Sequence, residues 1–245
     1  MVNWTEDWEE ILKTTYLNTN LTTFNIYKKL KERGFDGTYG SVDRKIRRMI
    51  EEKKMKKRFD LQCWEGLKVG YLDIETTGLF ADIHYMLSWA IKERGVDKVH
   101  HDTINRKDIL SFKFDENILK TLIKAMDKFD VIVGFNSTRF DLPFILARCE
   151  KLGIKFPPYG SFFHQDVYFM AKRLFKITRK SLKVVCEHLG IVGKTPLPRD
   201  VWQKATLGDP KSLKYILEHN IADVEITEKV HRRLEQYGKA KRRSF

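Results

Sequence analysis

An α/β domain preceded by a small all-α unit is the fold class this sequence predicts. Three observations predict it: helical periodicity fills the first 60 residues, strand-like apolar runs begin at Leu67, and from Asn117 helices surround a further apolar run, Val131-Ile132-Val133. The 245 residues suffice for a sizeable core and for two domains. The boundaries read as 1–58 for the helical unit, 59–66 for a linker, 67–237 for the α/β domain and 238–245 for a basic tail.

In the helical unit, Trp8, Ile11, Leu12 and Tyr16 recur at helical spacing. A second helix follows Thr22-Thr23, carries Phe24, Tyr27 and Leu30 on one face, and stops at Gly34. A third begins near Ser41 and turns Val42, Ile46, Met49 and Ile50 inward, leaving Arg44, Lys45, Arg47 and Arg48 on its other face. Three short helices, the last basic and following a Gly-containing turn, look like a helix-turn-helix nucleic-acid-binding unit. A bundle used for packing or protein contact, with a solvated basic face, is the competing reading. The stretch Glu51 to Arg58 (EEKKMKKR) ends the third helix and begins the linker, where its basic side chains sit in water or track phosphates.

In the α/β domain, residues 67–74, Tyr85–Glu93 and Lys98–Ile104 read as strands, with Arg94-Gly95 and Val96-Asp97 turning between the last two. Asn117–Phe129 is a helix with Ile118, Leu119, Leu122, Ile123 and Met126 on one face. Val131–Val133 follows as a short buried strand. The remainder reads as helices over Leu142–Leu152, Val167–Phe175, Leu182–Leu189 and about Lys211 to Tyr237.

Composition narrows the class. No apolar run approaches the ~20 residues that cross a bilayer, and the acidic start MVNWTEDWEE lacks the layout of a secretory signal. The expectation is an intracellular, cytoplasmic protein with no membrane partner. Cys63, Cys149 and Cys186 form no CxxC pair, so they read as reduced packing residues rather than a disulfide framework or zinc knuckle. The net charge of +13 calls for a polyanionic partner, most simply nucleic acid, although solubility alone also accounts for it.

The chemistry lies in four acids on three motifs: Asp73 and Glu75 in LDIETTG, Asp141 in GFNSTRFD, and Asp223 in HNIADVEIT. Alternate residues of a strand share a face, so Asp73 and Glu75 point together while Leu72 and Ile74 enter the core. Thr76, Thr77 and Gly78 follow as a turn that opens the strand end to ligands. Asn136 and Asp141 follow the buried strand; Asp141 precedes Leu142-Pro143 and also reads as a helix N-cap. His219 and Asp223 stand four apart on one helical face, with Tyr215 a turn earlier. Such a pair by itself is more often a helix-surface contact than a site. Buried carboxylates are costly unless a cation compensates them, so three acidic motifs converging in one fold point to a metal centre.

Together these motifs, with the SLKVVCEHLGI helix between them, resemble the DEDD superfamily of 3′–5′ exonucleases over about residues 66–235. The resemblance implies a ribonuclease-H-like mixed sheet flanked by helices and two Mg²⁺ or Mn²⁺ ions held by Asp73, Glu75, Asp141 and Asp223. Asp73 would bridge the ions, Glu75 and Asp223 would complete the water-activating site, and Asp141 would serve the second ion, partly through water. Hard divalent cations prefer carboxylate oxygen, which suits that donor set. Thr76 and Thr77 would meet the terminal nucleotide, with Leu79 or Phe80 packing on a base and Asn136 near the substrate. One position departs from the family, whose branches place Tyr with three residues, or His with four, before the last Asp. Here His219 stands at the tyrosine spacing. Its ordinary pKa near ~6.5, against ~10 for a phenol, suits it to accept a proton near neutrality; Tyr215 is the reserve candidate.

The other histidines, His84, His100 and His101, read as surface or packing residues. Asp166, beside His164, reads first as a helix cap and second as a residue shaping the site. Lys172, Arg173, Lys176, Arg179, Lys180 and Lys183 run without an intervening acid and read as a solvated face or a strand-tracking patch. Trp202 and the tail KAKRRSF would add stacking and electrostatic contacts, respectively, and the tail reads equally as a disordered end. The activity implied is a 3′–5′ exonuclease on DNA rather than RNA, working with a replication or repair partner. An exoribonuclease or structure-specific nuclease is the alternative enzyme, and a DNA-binding regulator on an inactive nuclease fold is the alternative class.

Overall fold

Alternation along the first strand organises the domain. The computed structural model describes residues 4–18, 21–52, 67–193, 196–237 and 243–244. Helices α1 (Glu6–Asn18), α2 (Thr23–Glu32) and α3 (Tyr39–Glu51) come first. Strands β1 (Val69–Thr76), β2 (Met86–Glu93) and β3 (Val99–Thr103) follow, then α4 (Arg106–Leu110), α5 (Glu116–Met126), β4 (Val131–Gly134) and α6 (Asp141–Leu152). The chain continues through β5 (Phe163–Asp166), α7 (Val167–Leu174), α8 (Leu182–Leu189), α9 (Arg199–Thr206), α10 (Pro210–Glu235) and β6 (Arg243–Ser244). The mixed sheet has the order β3-β2-β1-β4-β5-β6. β1 to β3 form an antiparallel meander, β4 and β5 run parallel to β1, and the two-residue β6 is antiparallel to β5.

The two faces of the sheet carry two cores. Leu72, Ile74 and Ile132 pack with Leu119 and Leu122 of α5 and Leu142 and Ile145 of α6. Val69, Tyr71, Val131 and Val133 face the other way, onto Val167 and Met170 of α7, Val185 of α8, and Val224 and Val230 of α10. Asp73 and Glu75 share the Tyr71 face by the period-two rule, so they look toward α10. Asp209 caps α10 through Ser212 N at 2.9 Å, and Pro210 occupies its first turn, where a missing N–H costs nothing.

The predicted strands and helices fall within a few residues of those observed, and the fold class is as expected. β1 runs two residues farther than predicted, through Glu75 and Thr76, where a bulge shifts its register against β2. Periodicity does not predict β5, α4 or α9. The β5 segment FHQD mixes polar and aromatic residues with no apolar alternation, and α4 and α9 are only five and eight residues long. Cys149 and Cys186 are buried, whereas the linker, most of the tail and Cys63 lie outside the described residues. No helix among the described residues is long and apolar enough to cross a membrane.

The three N-terminal helices enclose their own core of Leu12, Ile26, Leu30, Phe35, Val42, Ile46 and Met49. They touch the α/β domain where Asn25 Nδ2 donates to Asp130 Oδ1 at 3.4 Å, while Asp130 Oδ2 accepts from Lys68 N at 3.0 Å. Lys68 and Asp130 immediately precede β1 and β4. The helical unit therefore meets the sheet at the end opposite to Asp73, Glu75 and Asp141.

Far from those acids, α10 is fastened to β1 and β2 by polar groups. Tyr71 Oη lies 3.0 Å from His231 Nδ1, Arg94 pairs with both oxygens of Glu235 at 2.8 Å, and Glu228 receives Lys92 and Gly95 N. Burial pushes the His231 pKa down to about 4, so the ring is neutral at pH 7. An unfolded imidazole protonates near ~6.5, so below that pH the unfolded chain binds a proton that the folded chain refuses. This contribution to stability is complete above about pH 6.5 and is lost as the pH falls toward 4. Urea unfolding should show a loss approaching roughly 1.4 kcal/mol per pH unit from this group, and His231→Gln should flatten that dependence.

Candidate active site

β1 delivers the first pair of acids to one end of the sheet, and α10 meets them from above. Asn220, 0% exposed, donates from Nδ2 to Asp73 Oδ2 at 2.6 Å. Its Oδ1 accepts from Ser88 Oγ of β2 at 3.2 Å, which fixes the amide so that its NH₂ points at the acid. One residue earlier, His219 Nε2 lies 3.7 Å from Glu75 Oε1 and 3.8 Å from Asp223 Oδ2. Thus Glu75, His219 and Asp223 form one cluster around a buried imidazole, beside the Asp73–Asn220–Ser88 chain.

The second motif arrives from β4. Asp141 is the first residue of α6 and not its cap, which is Phe140. The Asp141 carboxyl turns back into the protein and accepts Ile74 N on Oδ1 at 3.1 Å, tying the motif to β1 between Asp73 and Glu75. Its pKa is pushed up to about 7, by burial first and with the charges of Asp166 and Glu75 adding to the rise, against the backbone hydrogen bonds that oppose it.

The loop before Asp141 is held by β5. Asp166 accepts Asn136 N on Oδ1 at 2.8 Å, Thr138 N on Oδ2 at 2.9 Å, and Tyr168 N at 2.9 Å as the cap of α7. Asp166 is therefore both the cap and the loop clamp. Asn136 sits at φ 62°, a left-handed conformation that asparagine tolerates better than most residues. His164 Nε2 lies 2.9 Å from Ser137 Oγ, and burial holds its pKa down at about 4.

The turn after Glu75 uses its own polar groups. Thr76 Oγ1 donates to Gly78 O at 2.7 Å, and Thr77 Oγ1 accepts Tyr85 N at 3.1 Å and lies 3.2 Å from His84 Nδ1. A Cβ on Gly78 would stand 2.4 Å from the His84 ring, so a larger residue here would displace that ring. Both threonines are buried within this turn, whereas Leu79 and Phe80 project from it at 71% and 65% exposure. Arg148 Nη1 and Lys151 Nζ of α6 donate to Ala81 O and Asp82 O, fixing the loop that carries them. Trp202, expected as a stacking surface, instead donates from Nε1 to Thr76 O at 3.1 Å and braces the strand end.

The structure separates the remaining candidates. Tyr215 donates its hydroxyl to Pro196 O at 2.8 Å, so the reserve role leads away from the acids. On α3, Arg44, Arg47 and Arg48 lie on the exposed face, with Arg47 pairing with Asp43 and Arg48 with Glu52. Lys45 departs from that grouping: it is half-buried, pairs with Glu9 and lies over the Trp4 ring. Its ammonium is thus turned toward Glu9 of α1 and the Trp4 ring. Lys180 donates to Ile177 O, and Lys183 lies 3.9 Å from Glu187.

Sequence reasoning does not single out Asn220 or Ser88. Asn220 lies inside the HNIAD motif, and its only signal there is a polar residue on the buried face of a helix. Among the described residues, no group of three His, Cys, Asp or Glu side chains is already gathered as a metal cage. The donor chemistry nevertheless fits a hard divalent cation, with carboxylate oxygens supplied from β1, α6 and α10.

A mixed sheet in this strand order, with acids presented at the ends of β1 and β4 and on the crossing helix, is that of a ribonuclease-H-like fold. The RNase_H superfamily model matches residues 70–235, and the chain belongs to that superfamily. A DNA polymerase of Methanocaldococcus jannaschii is 24% identical over 161 residues, covering 56% of this chain and 9% of that protein. DNA polymerase 2 of Aeropyrum pernix is 30% identical over 119 residues, covering 41% and 15%. The chain thus spans a small fraction of these relatives. The family B DNA polymerase structure from Pyrobaculum calidifontis superposes with a TM-score of 0.57 at 19% identity, over 69% of this chain and 24% of that one, a likeness of fold.

Replacing Asn220 by leucine keeps its branched skeleton but removes the amide between Ser88 and Asp73. The expected cost is about 1–3 kcal/mol of stability, because a buried hydroxyl loses its acceptor and a carboxylate its donor. Urea unfolding of Asn220→Leu beside wild type measures it.

Proposed function

We propose that this chain is a metal-dependent 3′–5′ exonuclease acting on DNA. The observation that carries the reading is the cluster of Glu75, His219 and Asp223, adjoined by Asp73 and by Asp141 hydrogen-bonded to Ile74 N. Membership of the RNase_H superfamily and the partial likeness to DNA polymerases support it.

Asp73, Glu75, Asp141 and Asp223 would hold two Mg²⁺ or Mn²⁺ ions, which when bound polarise the scissile phosphate and ease ionisation of water. The raised pKa of Asp141 reflects burial first and neighbouring acids second, a situation that a cation relieves. His219 accepts the proton of the attacking water, and the carboxylates of Glu75 and Asp223 favour the imidazolium that results. Water oxygen bonds to phosphorus as the bond to the upstream 3′ oxygen breaks. Leu79 and Phe80 pack against the terminal base, as their exposure beside the acids allows. Asn136 acts through its backbone in holding the loop, and Thr76 and Thr77 through the turn they build. The N-terminal unit, as a helix-turn-helix, would contact duplex phosphates through Arg44, Arg47 and Arg48.

A timed digest of end-labelled single-stranded DNA, RNA and forked duplex, with Mg²⁺ or with EDTA, tests the reading. Stepwise shortening of DNA from the 3′ end, abolished by EDTA, is expected; RNA or fork cleavage in its place would move the assignment to an exoribonuclease or structure-specific nuclease. Asp73→Asn should reduce cleavage to background while strand binding survives, and equal cleavage by the variant would overturn the metal assignment. His219→Ala should lower turnover by about 10²–10⁴-fold with a much smaller change in Mn²⁺ binding measured by calorimetry.

A further inference from the structure

Beside the second motif lies an aromatic and cationic surface that the acids do not use. Arg139, two residues before Asp141, places its guanidinium 5.2 Å from the centre of the Phe169 ring and 5.8 Å from that of Tyr168. The two rings meet edge to face at 5.2 Å, and Phe135, at the end of β4, meets Tyr168 edge to face at 6.1 Å. Phe169 remains 36% exposed, with the Arg139 guanidinium over its ring. On the same helix Lys172 and Arg173 are exposed one turn on, and no acid occurs from Val167 to Cys186. The nearest acid, Asp166, is buried and receives three backbone N–H groups.

We propose that Arg139, Phe169 and the Lys172–Arg173 edge of α7 form a stacking platform for single-stranded nucleic acid leading into the carboxylate site. This rests on the nuclease reading for its direction but not for its binding chemistry. A planar guanidinium already seated on aromatic rings is held flat for stacking on a base, and an exposed phenyl ring offers a second face. Lysine and arginine one turn away suit the phosphates on either side of a stacked base. A duplex keeps its bases inside, so these rings would meet only a single strand. The clamp of Asp166 on both the Asn136–Thr138 loop and Tyr168 N joins the platform rigidly to the segment that carries Asp141.

Fluorescence anisotropy with a labelled single strand of about 12 nucleotides, in EDTA so that nothing is cut, tests the platform. Phe169→Ala should weaken binding by about fivefold or more. Arg139→Lys should weaken it while leaving the salt dependence unchanged, because the charge stays and the plane is lost. Lys172→Gln with Arg173→Gln should reduce the slope of log K against log salt by about 0.7 for each phosphate no longer neutralised. Heparin, a polyanion without bases, should bind Phe169→Ala as it binds wild type. Wild-type affinity in both Phe169→Ala and Arg139→Lys would overturn the proposal, as would an equal loss toward heparin. A wild-type protein that binds the strand through these residues yet cuts nothing with Mg²⁺ would sink the nuclease reading and leave the platform standing.

Discussion

Mutual repulsion among buried and half-buried acids is the constraint around which this domain is built. Asp73, Glu75, Asp141 and Asp223 come from three separated segments, and Asp166 adds a fifth charge nearby. An apolar interior does not tolerate such a group unless donors or cations meet each charge. Each donor that meets them here is itself held by the scaffold. Asn220 is oriented by Ser88, Ile74 N by the sheet, and the amides of Asn136 and Thr138 by the carboxylate of Asp166.

These props distribute the site over both layers of the fold. α10 brings Asn220, His219 and Asp223 onto the face of β1 that presents Asp73 and Glu75. α6 starts at Asp141, and through Arg148 and Lys151 it also anchors the loop on which Leu79 and Phe80 project. A single helix therefore couples an acid to the apolar surface beside it. At the other end of the sheet, Asp130 receives Asn25 of the helical unit and Lys68 N, so that unit and the carboxylates are separated by the length of β1.

The legibility of the molecule varies with the range of the interaction involved. Strands β1 to β4 and the longer helices follow from periodicity, because alternating or three-to-four spacing encodes which face is buried. The acids are legible for the same reason: Asp73 and Glu75 interrupt an apolar strand, and Asp223 shares a helical face with His219. β5 is not legible, since FHQD carries no alternation and becomes a strand only by pairing with β4. The roles of Asn220, Ser88 and Trp202 are hidden too, because their partners lie 147, 132 and 126 residues away. Lys45 shares a basic face with its neighbours in sequence but turns to Glu9 across the bundle.

From its sequence alone the protein's fold class, the face of β1 that bears acids and the candidate ligands were determined, since these depend on local period and residue chemistry. Only the tertiary structure decided how those acids are supported, which histidine nitrogen stands between two carboxylates, and which exposed rings adjoin them. Hydrogen bonds and ring contacts depend on ångström distances between segments remote in the chain, and nothing in local spacing encodes those distances.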